Sequence, residues 1–324
     1  MAPNKSKAAN ANTSYGGPAL RGNAKKKKGN QQPRRNKGNQ NRMGGDTRVR
    51  RQLAMKLCGQ VDPFCDMACC PMLSKNTMPT LSYSVKGVVK VTTDANGNGA
   101  AWVTPGVQSC LAIASTIDNA TGIVTWAAST NTPEAASIAA AFYRYRVVCA
   151  GLHIYSSCNA NESAGTVQTA QVRELIAGYD IFSLAYPEVH RERLYEYDQY
   201  IRFQQGGSAR EEFQGITGAH SGTPGIFVSV TGAAATTTVL EIEYVFNVEL
   251  LPDLGNFVSR MAKPAAPHVP GAESIVSNAS LMVPTHTSSK AAASGGILKY
   301  IENAVNGIGL AEVAEMAGVI LALV

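Results

Sequence analysis

A chain of 324 residues with 45% hydrophobic and 16% charged content is long enough to bury one large core or two ordinary ones. Its formal charge of +6 conceals a division: of 29 Lys+Arg and 23 Asp+Glu, 15 and one fall within residues 1–56, so that segment carries +14 and the remainder −8. One end therefore suits a polyanion and the body does not.

Residues 1–45 consist of Asn, Gly, Gln, Lys and Arg with almost nothing apolar. Such a segment cannot offset its ordering entropy by burial and is expected to be disordered when free. Its opening, MAPNKSKAANANTSYGG, has no apolar run, so no secretory signal is expected. An odd count of seven cysteines then points to reduced thiols in an intracellular setting. Cys58, Cys65, Cys69 and Cys70 cluster without C-x2-C pairs or a nearby His, so crowded thiols are expected there rather than structural zinc. The cations Lys25, Lys26, Lys27, Lys28, Arg34, Arg35, Lys37, Arg42, Arg48, Arg50 and Arg51 are spaced by Gly, Asn and Gln. Mobile charges of this kind neutralise phosphates along an irregular polymer and release counterions. Tyr15 is the sole aromatic residue of the arm, so base stacking is a minor mode. TRVRRQLAMKL (47–57) could form a short basic helix.

From 81 to 252 the text reads as strands: LSYSVKGVVKVTT (81–93), GAAWVTP (99–105), SCLAIAS (109–115), GIVTWAA (122–128), YRYRVVCAGLHIYSS (143–157), GTVQTAQVR (165–173), QYIRFQQ (199–205), GIFVSVTG (225–232) and TTVLEIEYVFNVELLP (237–252). The first alternates and ends in DANGNG, a hairpin signal. The separators are rich in Gly, Asn, Ser, Thr and Pro, which predicts an all-β sandwich or barrel rather than an α/β enzyme. PEAASIAAAF (133–142) is predicted as a short helix, and LAYPEVHRERLYEYDQY (184–200) as another. No GxxxxGK[ST], HExxH or GxSxG motif occurs. His153 falls within a strand and is expected to be structural. After a Pro/Ala-rich connector, residues 297–324 place Ile297, Ile301, Val305 and Ile308 at helical spacing. Glu302, Glu312 and Glu315 interrupt the apolar run, which favours an interfacial amphipathic helix over a membrane span.

Three stretches carry a family resemblance. YRYRVVCAGLHIYSSCNANESAGTV and VLEIEYVFNVELLPD look like central and final shell strands, and SNASLMV (277–283) looks like a maturation cleavage site, all as in the coat proteins of nodaviruses and their tombus-like relatives. The resemblance implies an eight-stranded antiparallel jelly-roll shell domain over 81–253, between a disordered basic arm (1–56) with its connector (57–80) and a second connector (254–278). Residues 279–324 would be a membrane-active peptide. With little room for an inserted protruding domain, a comparatively smooth outer surface is expected. The resemblance further implies self-assembly, T=3 in type, around a genome that is expected to be single-stranded RNA. The chain would then reside in the virion, after assembly in the host cytoplasm, and its tail would act on a host membrane. Ca²⁺ between subunits is a further implication; Asp180, Glu196, Asp198 and Asp253 are available, with no spaced ligand motif among them.

An Asn side chain can attack its own backbone carbonyl, forming a succinimide and breaking the chain, and a small next residue leaves that carbonyl accessible. In the resemblance this is the Asn278-Ala279 bond, and the released piece would be the 46 residues 279–324. The assisting carboxylate lies shortly before the first shell strand; LCGQVDPFCDMACC (57–70) offers Asp62 as first choice and Asp66 as second. A carboxylate in apolar surroundings would hold its proton near neutral pH. This is one event per chain, not turnover. Two readings stay open beside it: a coat protein without self-cleavage, and a non-capsid nucleic-acid-binding protein with a β-barrel domain.

Overall fold

The structure is a computed structural model that describes residues 55–56, 59–60, 62–70, 78–159, 164–172, 175, 178–187, 189–203, 212–216, 224–253, 255, 257–262 and 285–287. Chain contacts divide the protein into Met1–Gln40 and Asn41–Val324, and every described residue belongs to the second unit.

In chain order the strands are β1 (Leu81–Thr92), β2 (Gly99–Val103), β3 (Leu111–Ile117), β4 (Val124–Trp126), β5 (Phe142–Ser156), β6 (Thr166–Val172), β7 (His190–Arg193), β8 (Asp198–Arg202), β9 (Gln214–Gly215), β10 (Gly225–Thr231), β11 (Thr238–Pro252) and β12 (His286–Thr287). They form two sheets, one ordered β1-β11-β5-β8-β12 with β9 also on β5, the other β4-β3-β2-β10-β6-β7. Every pairing is antiparallel. This is a sandwich of jelly-roll type. The described residues hold twelve strands where eight were expected. The additions are the β3–β4 hairpin beyond β2 and the two-residue strands β9 and β12.

Alternation explains the register. In β1, Val85, Val89 and Val91 enter the core while Lys86, Val88 and Lys90 point away, the period of two that a half-buried strand requires. The two inner faces meet in one cluster that includes Leu152, Ile154, Ile201, Phe246, Val248, Ile226 and Val228. The β1–β2 turn is closed by Asp94, whose Oδ1 accepts the N–H groups of Asn96 (2.7 Å) and Asn98 (2.9 Å). Gly97 has φ +77°, and a Cβ there would sit 2.1 Å from Ala233 O, so only glycine fits.

β5 carries the continuous apolar run VVCAGL because it is buried on both faces. A bulge places Val147 opposite Val248 and Cys149 opposite Asn247, skipping Val148. The extra residue turns both Val148 and Cys149 to the outer face, where Val148 packs with Cys70 and Met55.

The helix expected over 133–142 forms as Ala135–Ala141, with Ala135 and Ile138 buried one turn apart, and ends where Phe142 enters β5. The helix expected over 184–200 does not form. Residues 190–193 instead pair with β6 (Thr166↔Arg193 to Thr169↔His190), followed by a 3-10 turn at Leu194–Glu196. HRER alternates half-buried and exposed, so edge pairing with β6 satisfies its backbone better than a solvated helix could.

Candidate functional site

The outer face of the β11-β5-β8 sheet receives the connector that follows the basic arm. Met55, Lys56, Gly59 and Gln60 are helical. Residues 62–70 then cross the sheet, and the connector from Lys56 onward is held by four hydrogen bonds. Asn247 Nδ2 donates to Pro63 O (2.8 Å), Cys149 Sγ to Ala68 O (3.8 Å), Arg202 to Gln60 O, and Lys56 Nζ to Val148 O (3.5 Å). Gly151 makes room for Pro63, whose Cγ would lie 3.0 Å from a Cβ at that position. Phe64 meets Tyr200 edge-on at 6.1 Å.

Beneath this connector sits a buried ionic cluster. Arg146 donates through Nε and Nη2 to Glu249 Oε2, both at 2.7 Å, with each side chain 1% exposed. Thr80 Oγ1 donates to Glu249 Oε1, and Arg146 stacks over Phe213 with its Cζ 4.5 Å from the ring centroid. Lys56 counts among the arm cations by sequence, yet it is buried, and burial pushes its pKa down against the pull of Cys70, Cys149 and Glu249. It serves as an anchor rather than a free phosphate contact. The neighbouring thiols are poor nucleophiles: burial raises Cys149 to about 12 and Cys69 to about 11. All six described cysteines are free.

Of the residues read from sequence for strand scission, Asp62 and Asp66 are described. Asp62 is half-buried, and its Oδ1 accepts the Phe64 N–H at 2.9 Å, closing an Asx turn at Pro63. Asp66 opens a 3-10 turn with its side chain 99% exposed, 4.0 Å from Lys86 Nζ, so it lacks the apolar surroundings the reaction favours. Asn278 and Ala279 lie outside the described residues, as do Lys25, Lys26, Lys27, Lys28, Arg34, Arg35, Lys37, Arg42, Arg48, Arg50 and Arg51, and Ile297, Ile301, Val305 and Ile308. One contact approaches the scissile region. The Arg202 N–H donates to Thr285 O at 3.0 Å while the Arg202 guanidinium holds Gln60 O. A single residue of β8 thus binds the chain just before Asp62 and the chain seven residues after Asn278.

A second cluster lies farther along the same face. His153 Nε2 meets Asp198 Oδ1 at 2.7 Å and Nδ1 meets Glu243 Oε2 at 3.2 Å, while its ring stacks on Tyr200 at 4.2 Å. Tyr155 donates to Glu241 (2.7 Å), which raises the tyrosine to about 12, and Lys90 pairs with Glu241 at 3.1 Å. His153, Tyr155, Asp198 and Glu243 border an open cavity of about 460 Å³ that Glu196 also lines. His153 is thus a satisfied strand residue, as its sequence context predicts. Asp180 and Asp253 lie elsewhere, each closing a local turn through Oδ1. Among the described residues of one copy, no three His, Cys, Asp or Glu groups are placed to hold a metal ion. Among the described residues no helix is long and apolar enough to cross a membrane.

Sequence reasoning missed Glu249, Arg146 and Lys56. For Arg146 and Glu249 the available signal was a charge embedded in an apolar strand, since a buried charge demands a partner.

No protein-family profile matches the sequence, and no curated protein sequence matches it. Solved structures do match. The subunit of the T13 particle of infectious bursal disease virus aligns with a TM-score of 0.52 and 10% identity over 83% of this chain and 100% of that chain. The subunit of T=1 particles derived from the same virus gives 0.51 and 10% over 77% and 96%, and the VP2 subviral particle 0.51 and 10% over 76% and 99%. At this identity the likeness is one of fold, and the fold of this chain is that of the subunits from which icosahedral viral particles are built.

Proposed function

We propose that this chain is the coat protein of a small non-enveloped icosahedral virus of nodavirus- or tombus-like type, which assembles into a closed shell, T=3 in kind, around a single-stranded RNA genome. The fold carries the reading. Without the β3–β4 hairpin and the two-residue strands, eight strands remain, four in each sheet, ordered β1-β11-β5-β8 and β2-β10-β6-β7. That is a jelly roll, whose flat sides and loop ends suit repeated packing of copies under symmetry. The charge division supports the role of the arm: residues 1–56 carry +14 and are tethered at Met55 to one face of one sheet, so a shell with that face inward would bring the cations to the genome. The virion is the site of action, and the host cytoplasm the site of assembly.

Maturation by scission of Asn278-Ala279 belongs to the same proposal. The Asn278 side-chain nitrogen attacks its own carbonyl carbon, the C–N bond to Ala279 breaks, and the leaving amine takes up a proton. Asp62 is the better assistant, since Arg202 gathers the chain beside Asp62 and residue 285 together. Seven extended residues span at most about 25 Å, an upper limit on the reach from Thr285 back to Asn278. Release of 279–324 would supply the membrane-active helix.

Electron microscopy of the expressed full chain tests assembly: closed particles containing RNA are expected, and a protein that stays monomeric in the presence of RNA overturns the proposal. Intact-mass measurement of the particles tests scission, with a new C-terminus at Asn278 expected.

A further inference from the structure

The edge of β8 carries a short strand from beyond Asn278, and its side chain enters the sandwich. We propose that the cleft between β8 and β7 is a docking site for the chain's own residues 285–287, closed at neutral pH and opened by acid, with the His190–His286 pair as the trigger. This goes beyond the assembly reading and holds whether or not the Asn278-Ala279 bond is cut.

The backbone anchor is small: His286 pairs with Ile201, Thr287 with Tyr200, and Arg202 N–H donates to Thr285 O at 3.0 Å. The side chain of His286 does the rest. Its ring stacks on His190 of β7 at 5.3 Å and 28°, and its Nε2 lies 3.2 Å from Thr169 Oγ1 on β6. Tyr197 donates its hydroxyl to that same Thr169 oxygen at 3.4 Å, and Thr169 is fully buried. With Thr169 Oγ1 accepting from Tyr197, its own O–H can donate to His286 Nε2 when that nitrogen carries no proton. A proton on Nε2 reverses the last link and sets a cation against His190.

Among the described residues, the charged and titratable groups around His286 are few. From β7 come His190 and Glu192; from β6, the neutral Thr169; from β8, Ile201 and Gln199; and from the preceding turn, Tyr197. Glu192 is already engaged, with Oε1 2.8 Å from His190 Nε2 and Oε2 accepting from Gln199 Nε2 at 3.1 Å. Burial first, and His190 second, push His286 from 6.5 down to about 4, with Glu192 pulling the other way. A histidine whose docked pKa lies below its free value binds protons preferentially when undocked. Docking is therefore at full strength above pH 6.5 and weakens as the pH falls toward 4, by about 30-fold at pH 5.

Hydrogen exchange of the full chain, read at the Arg202 amide and corrected for intrinsic rate, tests this. Between pH 7.5 and pH 5 the corrected rate should rise about 30-fold while amides of β10 and β6 stay unchanged. In His286→Phe and in His286→Asn the step should vanish, and in His190→Gln it should shrink. No step in the unaltered chain, or the same step in either His286 variant, overturns the proposal.

Discussion

Replacing Glu249 by Gln keeps the shape of the side chain and removes its charge. Glu249 is 1% exposed and accepts from Arg146 through two nitrogens and from Thr80, with the buried Lys56 ammonium close enough to feel its charge. The substitution leaves two cations buried without their shared carboxylate. Breaking one side of a buried ion pair costs about 3–5 kcal/mol. For a folded body of this size each kcal/mol moves Tm by about 2–4 °C, so a loss of roughly 6–20 °C is expected by scanning calorimetry of the full chain. The double variant Arg146→Met with Glu249→Leu removes both ends of that pair and should recover part of the loss, with the buried Lys56 still lacking the carboxylate. A Glu249→Gln protein within about 1 kcal/mol of the parent refutes the reasoning, since such a carboxylate would not be balancing buried charge. So does a double variant no more stable than the single one.

Three further outcomes are expected. Asn278→Ala should leave only full-length chain in aged particles by intact mass, and Asp62→Asn should slow the appearance of the shortened chain more than Asp66→Asn, given the 99% exposure of the Asp66 side chain. Changing Lys25, Lys26, Lys27 and Lys28 together to Ala should flatten the log–log salt dependence of single-stranded RNA binding by about 3, because each lost contact releases about 0.7 fewer counterions. Gly97→Ala should destabilise the chain by more than about 1 kcal/mol in a denaturant titration, as the residue sits at φ +77° against Ala233 O.

The long strands were legible because half-buried sheets impose an alternation that survives in any sequence able to form them. β1, β5, β10 and β11 all fall where apolar alternation or a continuous apolar run appears between turn signals. β7 was not legible: HRER has no apolar member, and it becomes a strand only because β6 offers an edge. β9 and β12 were invisible for a related reason, since two residues carry no period. At the site, the family resemblance pointed to Asp62 and Asp66, but it carried no information on exposure, which separates them. The partnership of Arg146 with Glu249 spans 103 residues, and no local pattern encodes it.

The two sheets play unequal parts, and the polar clusters explain why. The outer face of β2-β10-β6 is covered by its own loop: Trp102, Ala170 and Phe227 pack under Tyr179, Ile181 and Tyr186. That loop leaves Phe182 and Leu184 exposed, a ready contact for another molecule. The outer face and edge of β11-β5-β8 instead receive segments from outside the sandwich. The connector docks through backbone oxygens of Gln60, Pro63 and Ala68, and residues 285–287 dock on β8. Apolar alternation alone permits many sequences, which is how 10% identity is compatible with a shared fold. Directional attachments are more demanding, because each buried donor needs its acceptor at one position. The residues that make these attachments, Arg202 and Asn247 on the connector side and His286 with Thr169 on the other, are thus where this chain departs from a generic sandwich. They fix on which face the described residues of 55–70 are held, and at which edge residues 285–287 pair.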